Sequence, residues 1–519
     1  MKLHHLALAT MLLASPVLAT AATTAAPATA TKTDSAHADA GIAWFKGDVD
    51  AAFALAKSSK KPLFLFWGAS WCPPCNQVKS TIFNRQGFIE RSRYFVPVYV
   101  DGDAPSAQKL GARFKVRGYP TMILFKPDGG EVTRLPGEVD AARYLQVLTM
   151  GMSANHTVQE LLNMANSEPS KLSADDWRLL SFYTWDASEQ HLVSEKEMPA
   201  TLMRLAKAST DADSATRLQI RAWMSMQEGK QVVSEQERAA ILKRLQDERW
   251  TRDNMDLVTN GAANLLAILN QGLTDKAPLT KIMQQTLNRL LADQSLSKAD
   301  RLGALAGLVA IAKPAKDEKF PEEFIKLVRE QVASIEKSTT DAFERQAVVS
   351  AAGYVLGQAG LLAESDQLLT AELKRSHSPY YFMLSLANNA KKRGDSAAAL
   401  SWYEQAYKAS KGPATRLQWG AAYIAGLIDL TPQDEARISS VVDGVLQELA
   451  NTPDALYDRN RNVLERTGRK LVAWNLDGKH QKVYAELQAK IDGLCAKLPK
   501  NEAERAVCKG ILQAPKEQL

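Results

Sequence analysis

The stretch FLFWGASWCPPCNQVK, Phe64 to Lys79, decides how this chain folds. Its start, together with Pro62 and Leu63, is a short continuous apolar run, the pattern of a strand buried on both faces. Its end continues as NQVKSTIF, which reads as helix. Between them stand Cys72, Pro73, Pro74 and Cys75. Proline fits the first turn of a helix, where its missing N–H would be unpaired anyway. The segment therefore predicts strand, turn and helix, with Cys72 at or just before the helix N-terminus. The partial positive charge and unpaired N–H groups there favour a thiolate over a thiol. Cys72 is the candidate nucleophile, and Cys75, one turn in and less exposed, the candidate resolving thiol. Phe64, Phe66 and Trp67 are expected in the core, and Trp71 on the exposed rim of the motif.

A Cys pair at this spacing can be a redox couple, half of a metal site or a structural staple. A structural zinc site needs about four Cys or His ligands. The histidines are His4, His5, His37, His156, His191, His377 and His480, and none forms a second pair at ligand spacing. Cys495 and Cys508, the other two cysteines, lie far along the chain. No metal is expected. A staple is weak, because so small a loop stabilises little.

The flanking sequence strengthens the redox reading. Upstream, DVDAAFALAKSSKKP has helical spacing, with Asp48 or Asp50 near its start. Downstream come a strand in YFVPVYVDGD (94–103) and a helix in SAQKLGARFKV. Tyr119 and Pro120 then precede a strand from Thr121 to Phe125, a turn at PDGG, a strand in EVTRLPG and a helix from about 140 to 150. Trp71 before the pair, and Tyr119-Pro120 well after it, make the pattern far more specific than C-x-x-C alone.

With Val116-Arg117-Gly118-Tyr119-Pro120-Thr121 and Phe125 before a Gly turn, these residues resemble the thioredoxin superfamily over about 42–152. The phrase KPLFLFWGASWCPPC is most similar to exported thioredoxin-like domains used for thiol–disulfide interchange, including the C-terminal domain of the transmembrane reductase of the bacterial periplasm. The resemblance implies an α/β thioredoxin fold, a central mixed sheet flanked by helices. It also implies a cis peptide before Pro120, whose neighbourhood holds the substrate strand. Trp71, next to the motif, is a candidate substrate contact, and Tyr119 is either a substrate contact or a packing residue. Two positions depart from the family. Its buried Asp, six residues before the first Cys, is Phe66 here, and the Lys that approaches that Asp is Pro97. The departure puts thioredoxin-like proton handling at the resolving thiol in doubt and leaves the nucleophile untouched.

From about Thr157 onward the strand signals stop. Apolar residues recur at three- and four-residue spacing, Ser and Asp stand at many helix starts, and Pro or Gly mark the breaks. The region 153–519 is expected to be all-α. Within YYFMLSLANNAKKRGDSAAALSWYEQAYKASKGP, residues Leu386, Ala387, Gly394, Ala399, Tyr403 and Ala406 fall on the tetratricopeptide pattern. Gly353, Gly360 and Leu369 stand 34 positions before Ala387, Gly394 and Tyr403. Tetratricopeptide-like repeats are therefore expected near 346–413, with a concave surface for a protein partner. Trp177, Trp185, Trp223 and Trp402 are expected in the core. Cys495 and Cys508, near the end, fit a structural disulfide pinning a helical hairpin.

The 519 residues are 45% hydrophobic and 24% charged, with a formal net charge of +6, as in soluble multidomain protein. No dense Lys/Arg run is present, so nucleic-acid binding is not expected. Residues 1–21 follow a signal-peptide pattern: Lys2, an apolar run from Leu6 to Leu18, and Ala19-Thr20-Ala21 as cleavage site. An Ala/Thr-rich flexible leader follows over 22–41. The mature chain is expected to lack a membrane span and to be exported, to the bacterial periplasm, where disulfides persist.

Together these features imply an exported thiol–disulfide oxidoreductase that acts on protein disulfides. It would need no cofactor beyond a redox partner that resets Cys72 and Cys75. The Pro-Pro dipeptide and the resemblance favour the reductase direction. The alternatives are a helical-repeat binding or adaptor protein, or an isomerase or chaperone, with the redox module auxiliary.

Overall fold

In the computed structural model, the apolar run becomes strand β1 (Leu63–Gly68), buried at every position. It lies second in a four-stranded mixed sheet with β2 (Val96–Asp101), β3 (Thr121–Phe125) and β4 (Glu131–Leu135), in the order β2-β1-β3-β4. β1 runs parallel to β2 and antiparallel to β3. β3 and β4 are antiparallel, with a register shift at Leu124 and Phe125. Side chains alternate across the sheet. Leu63, Leu65 and Trp67 pack with helix α1 (Val49–Ser59) and Phe114, whereas Phe64 and Phe66 pack with the cysteines. Both faces are covered, which is why the run is apolar throughout. Pro97 sits on edge strand β2 opposite Phe64, where a missing N–H costs the sheet least.

Asp48 caps α1 by accepting the Ala51 N–H at 2.7 Å. The Cys-bearing helix is α2 (Pro73–Val78), which passes into a π-helical turn at Lys79–Phe83. Then come α3 (Gln86–Ser92), α4 (Ala107–Arg113) and α5 (Ala141–Met152). α3 is the one element of this part that the sequence reading does not separate.

The structure describes residues 41–185, 192–497 and 502–512, apart from 106, 138, 228, 316–317 and 453–455. The expected signal peptide, and the leader up to residue 40, lie outside them. Among the described residues, every regular element from Val158 to Gly510 is helical, and no helix is long and apolar enough to cross a membrane. Ala342–Gln358 and Leu362–Glu372 form one helical hairpin, and Pro379–Lys392 and Ser396–Ala409 the next. Gly360 and Gly394 make the tight turns with φ of 81° and 77°, a conformation glycine adopts without steric cost. Trp177, Trp185 and Trp223 are buried, and Trp402 is half-buried.

The apolar core on the cysteine face of the sheet does not end at the α/β part. Phe66, Cys75, Leu124 and Tyr144 share a cluster with Trp177, Leu205, Tyr380 and Trp419 of the helical part. A separate C-terminal core contains the Cys495–Cys508 disulfide, which ties helix Gln481–Lys497 to helix Glu502–Gly510.

Candidate functional site

Cys72 is the N-cap of α2 and Pro73 its first helical residue. The two cysteines form a disulfide with Cα atoms 5.2 Å apart, and the Cys75 N–H donates to Cys72 Sγ at 3.1 Å. Asn76 Nδ2 donates to the carbonyls of Ser70 and Cys72 at 2.8 and 2.9 Å, holding the turn on the helix end. The Tyr119–Pro120 peptide is cis and leads into β3, whose Thr121 pairs with Trp67 just upstream of the motif. Trp71, Cys72, Cys75 and Tyr119 are thereby brought to one end of the sheet, with Pro73 and Pro74 in the first turn of α2. Cys495 and Cys508 lie in the separate C-terminal core and take no part.

Beneath the disulfide the bed is aromatic. The Phe66 ring meets Phe83 edge-on at 4.9 Å and stacks on Tyr99 at 5.3 Å. Lys79, buried and one turn beyond Cys75, places its ammonium 5.0 Å from the Tyr99 ring centre and 5.9 Å from that of Phe66. Burial, reinforced by Asp101, pushes the Tyr99 hydroxyl well above its ordinary value. A Cβ added at Gly68 would lie 3.5 Å from Cys75 Sγ, so the strand backbone itself passes close to Cys75.

The upper side differs from the sequence expectation. Trp71 is only 6% exposed, Cys72 2% and Cys75 0%, because the helical part presses onto this face. The Trp71 ring stacks on Tyr381 at 6.0 Å and meets Trp419 edge-on at 4.8 Å and Tyr119 at 6.0 Å. The Arg459 guanidinium lies 5.5 Å from the Trp71 ring centre and 4.6 Å from that of Tyr119. Trp71 Nε1 donates to Thr415 Oγ1 at 2.7 Å. Thr415 in turn donates to Asp103 twice, N–H to Oδ1 at 2.8 Å and Oγ1–H to Oδ2 at 2.5 Å. His377 Nε2 lies 3.0 Å from the Ser70 carbonyl, so that nitrogen carries the proton.

A second seam follows α2. Gln77 Nε2 donates to Asp300 Oδ1 at 2.6 Å. A cleft of about 350 Å³ opens there, lined by Pro73, Pro74, Gln77, Asp300, Tyr354 and Tyr381 among others, and neither cysteine reaches it. Burial pushes the carboxyls of Asp103 and Asp300 up to about 6 against the opposing pull of their hydrogen bonds.

Asp103, His377, Tyr381, Thr415, Trp419 and Arg459 are the site residues that sequence reasoning misses. Asp103 stands in a readable VDGD turn, but its partner Thr415 is 312 positions away and carries no local signal.

Residues 49–151 match the family model described as thioredoxin-like domain. These residues are a thioredoxin-like domain. The chain is 30% identical over 111 residues to the thiol:disulfide interchange protein DsbD of Pseudomonas fluorescens, covering 21% of this chain and 19% of that protein. It is 30% identical over 102 residues to thiol:disulfide interchange protein DsbD 1 of Pseudomonas aeruginosa, 18% of this chain and 17% of that protein. It is 32% identical over 98 residues to DsbD of Yersinia pestis, 18% of this chain and 16% of that protein. The chain thus spans less than a fifth of the length of these curated relatives. The helical part from Val158 onward is outside the matched family model.

Proposed function

We propose that this chain is an exported thiol–disulfide oxidoreductase that works on protein disulfides through Cys72 and Cys75, as a reductase. The observation that carries the reading is the Cys72–Cys75 disulfide at the N-terminus of α2 in a thioredoxin-like domain. The similarity to proteins named for thiol:disulfide interchange supports it. In the reduced form, the helix end and the Cys75 N–H stabilise Cys72 as thiolate. The thiolate attacks one sulfur of a substrate disulfide, that S–S bond breaks, and the leaving sulfur takes a proton. Cys75 gives up its proton and attacks Cys72 in the mixed disulfide, releasing the substrate as a dithiol. Two electrons pass from the pair to the substrate, and a dithiol redox partner restores them. In this reading Trp71, Tyr119 and Pro120 are the substrate contacts.

In this reading residues 1–21 are a signal peptide, 22–41 a leader, 42–152 the redox module and 153–519 the helical region. The exported destination is the bacterial periplasm. The hairpins over 342–409, with Gly360 and Gly394 at equivalent turns, support a tetratricopeptide-like stack near 346–413.

The test is the reduction potential of the pair, measured by thiol trapping in defined glutathione or dithiothreitol buffers with Cys495 and Cys508 replaced by Ser. A value near about −270 mV supports the reductase direction, and one near about −120 mV would reverse it. Cys72→Ser is expected to abolish turnover of a protein disulfide. A binding or adaptor role is the second reading, favoured by the burial of both sulfurs. It requires that Cys72→Ser leave the function intact.

A further inference from the structure

Thiol–disulfide exchange needs three sulfurs nearly in line, so an attacking thiolate must reach Cys72 or Cys75 from outside. Here Cys72 is almost wholly covered, Cys75 is fully covered, and the cleft beside Pro73 and Pro74 reaches neither. Beside them lies the face of the helical region that carries His377, Tyr381, Thr415, Trp419 and Arg459, and the cysteines share an apolar cluster with Trp419 of that face. These side chains hold Trp71 and the backbone beside Ser70, the surface that an incoming protein disulfide would have to touch.

This contact shares an apolar cluster with the redox face, and it also carries a set of polar links. These run from Trp71 to Thr415, Thr415 to Asp103, His377 to Ser70, Gln77 to Asp300 and the Gln108 side-chain carbonyl to the Asn460 N–H. On separation, water satisfies each of these groups, and two carboxylates that burial disfavours regain solvent. The aromatic contacts are the part that opposes opening.

We propose that this face of the helical region is a docking surface for the redox face of the same chain, so that it competes with substrate proteins for Trp71 and gates the Cys72–Cys75 pair. The competition with substrates rests on the oxidoreductase reading above; the gating of access does not. The structure is the shielded form. Exchange proceeds only when Thr415, Trp419 and Arg459 leave Trp71, through local opening of the kind that exposes protected amides.

The test uses the oxidised full-length chain and increasing dithiothreitol, with thiol trapping to follow each disulfide separately. Each reduction is balanced: dithiothreitol is oxidised to its cyclic disulfide as one protein disulfide becomes two thiols. Thr415→Val removes the hydroxyl that bridges Trp71 and Asp103, and Arg459→Gln removes the cation over Trp71 and Tyr119. Both variants are expected to speed reduction of Cys72–Cys75 by about tenfold, the effect of losing roughly one hydrogen bond's worth of docking. The Cys495–Cys508 disulfide is the internal control. It lies in another core, so a variant that merely unfolds exposes both pairs together, whereas an opened gate exposes Cys72–Cys75 alone.

Selective acceleration in both variants supports the gate. Wild-type rates in both, or acceleration of the two disulfides in parallel, overturns it. Turnover of a protein disulfide is scored in parallel. Absent turnover with selective acceleration would sink the oxidoreductase reading and leave the gate standing. Normal turnover with unchanged access would do the reverse.

Discussion

Gly412 has no side chain with which to cap the helix Pro413–Leu430, and Asp103 of the thioredoxin-like domain does it instead. An N-cap carboxylate normally accepts the N–H two or three residues into the helix from the residue just before it. Here the Thr415 N–H, third in the helix, meets a carboxylate from across the seam. Gly412 also has φ 89° and ψ 144°, a region close to glycine's own. A Cβ there would lie 2.3 Å from Asp103 Cγ. Gly412→Ala is therefore expected to cost about 1–3 kcal/mol from backbone strain. It should lower the thermal midpoint and loosen the seam, which melting curves and reduction rates of the Cys72–Cys75 pair would register. Phe66 forms an aromatic bed with Phe83 and Tyr99, where the sequence departs from the expected Asp.

At the scale of elements, β1 and the C-terminal hairpin make the contrast. β1 is held by two strands and by apolar layers on both faces, so it needs no covalent help. The helices Gln481–Lys497 and Glu502–Gly510 form a small terminal hairpin, and the Cys495–Cys508 bridge closes a loop of sequence separation 13 within it. Replacing both cysteines by Ser is expected to destabilise the hairpin by about 3 kcal/mol on the chain-entropy model. Denaturant unfolding followed by hydrogen exchange in 481–512 would measure this. The reduction potential of Cys72–Cys75 should stay where it was, because the two disulfides share no core.

For the whole molecule, the seam between the two parts contains two carboxyls that burial pushes up to about 6, Asp103 and Asp300. Asp101, Arg459, Tyr119 and Tyr380 face or influence the first, and Asp140 the second. A raised value means that the docked form binds protons more tightly than the open form, in which these carboxyls have their ordinary value near 3.8. Protonation therefore favours docking: the gain is complete below about pH 4 and is lost as pH rises through about 6. Reduction of Cys72–Cys75 by a phosphine, which remains a reductant in acid, is expected to slow several-fold between pH 7.5 and 5. A rate that rises over that interval would mean that the seam carboxyls do not couple to docking in this way.

The sequence by itself determined the thioredoxin-like domain, because its signals are local. A strand buried on both faces must be a continuous apolar run, and paired prolines after Cys72 suit a helix start. The helical hairpins were legible for the same reason: spacing within a few turns encodes them. Tertiary structure alone decided what lies over the disulfide. Trp71 reads as a rim residue from its neighbours in sequence, and it is buried because Tyr381, Thr415, Trp419 and Arg459 arrive from more than 300 positions away. Such contacts have no periodicity and no motif. They arise from the complementarity of two finished surfaces, and a surface exists only once the chain has folded.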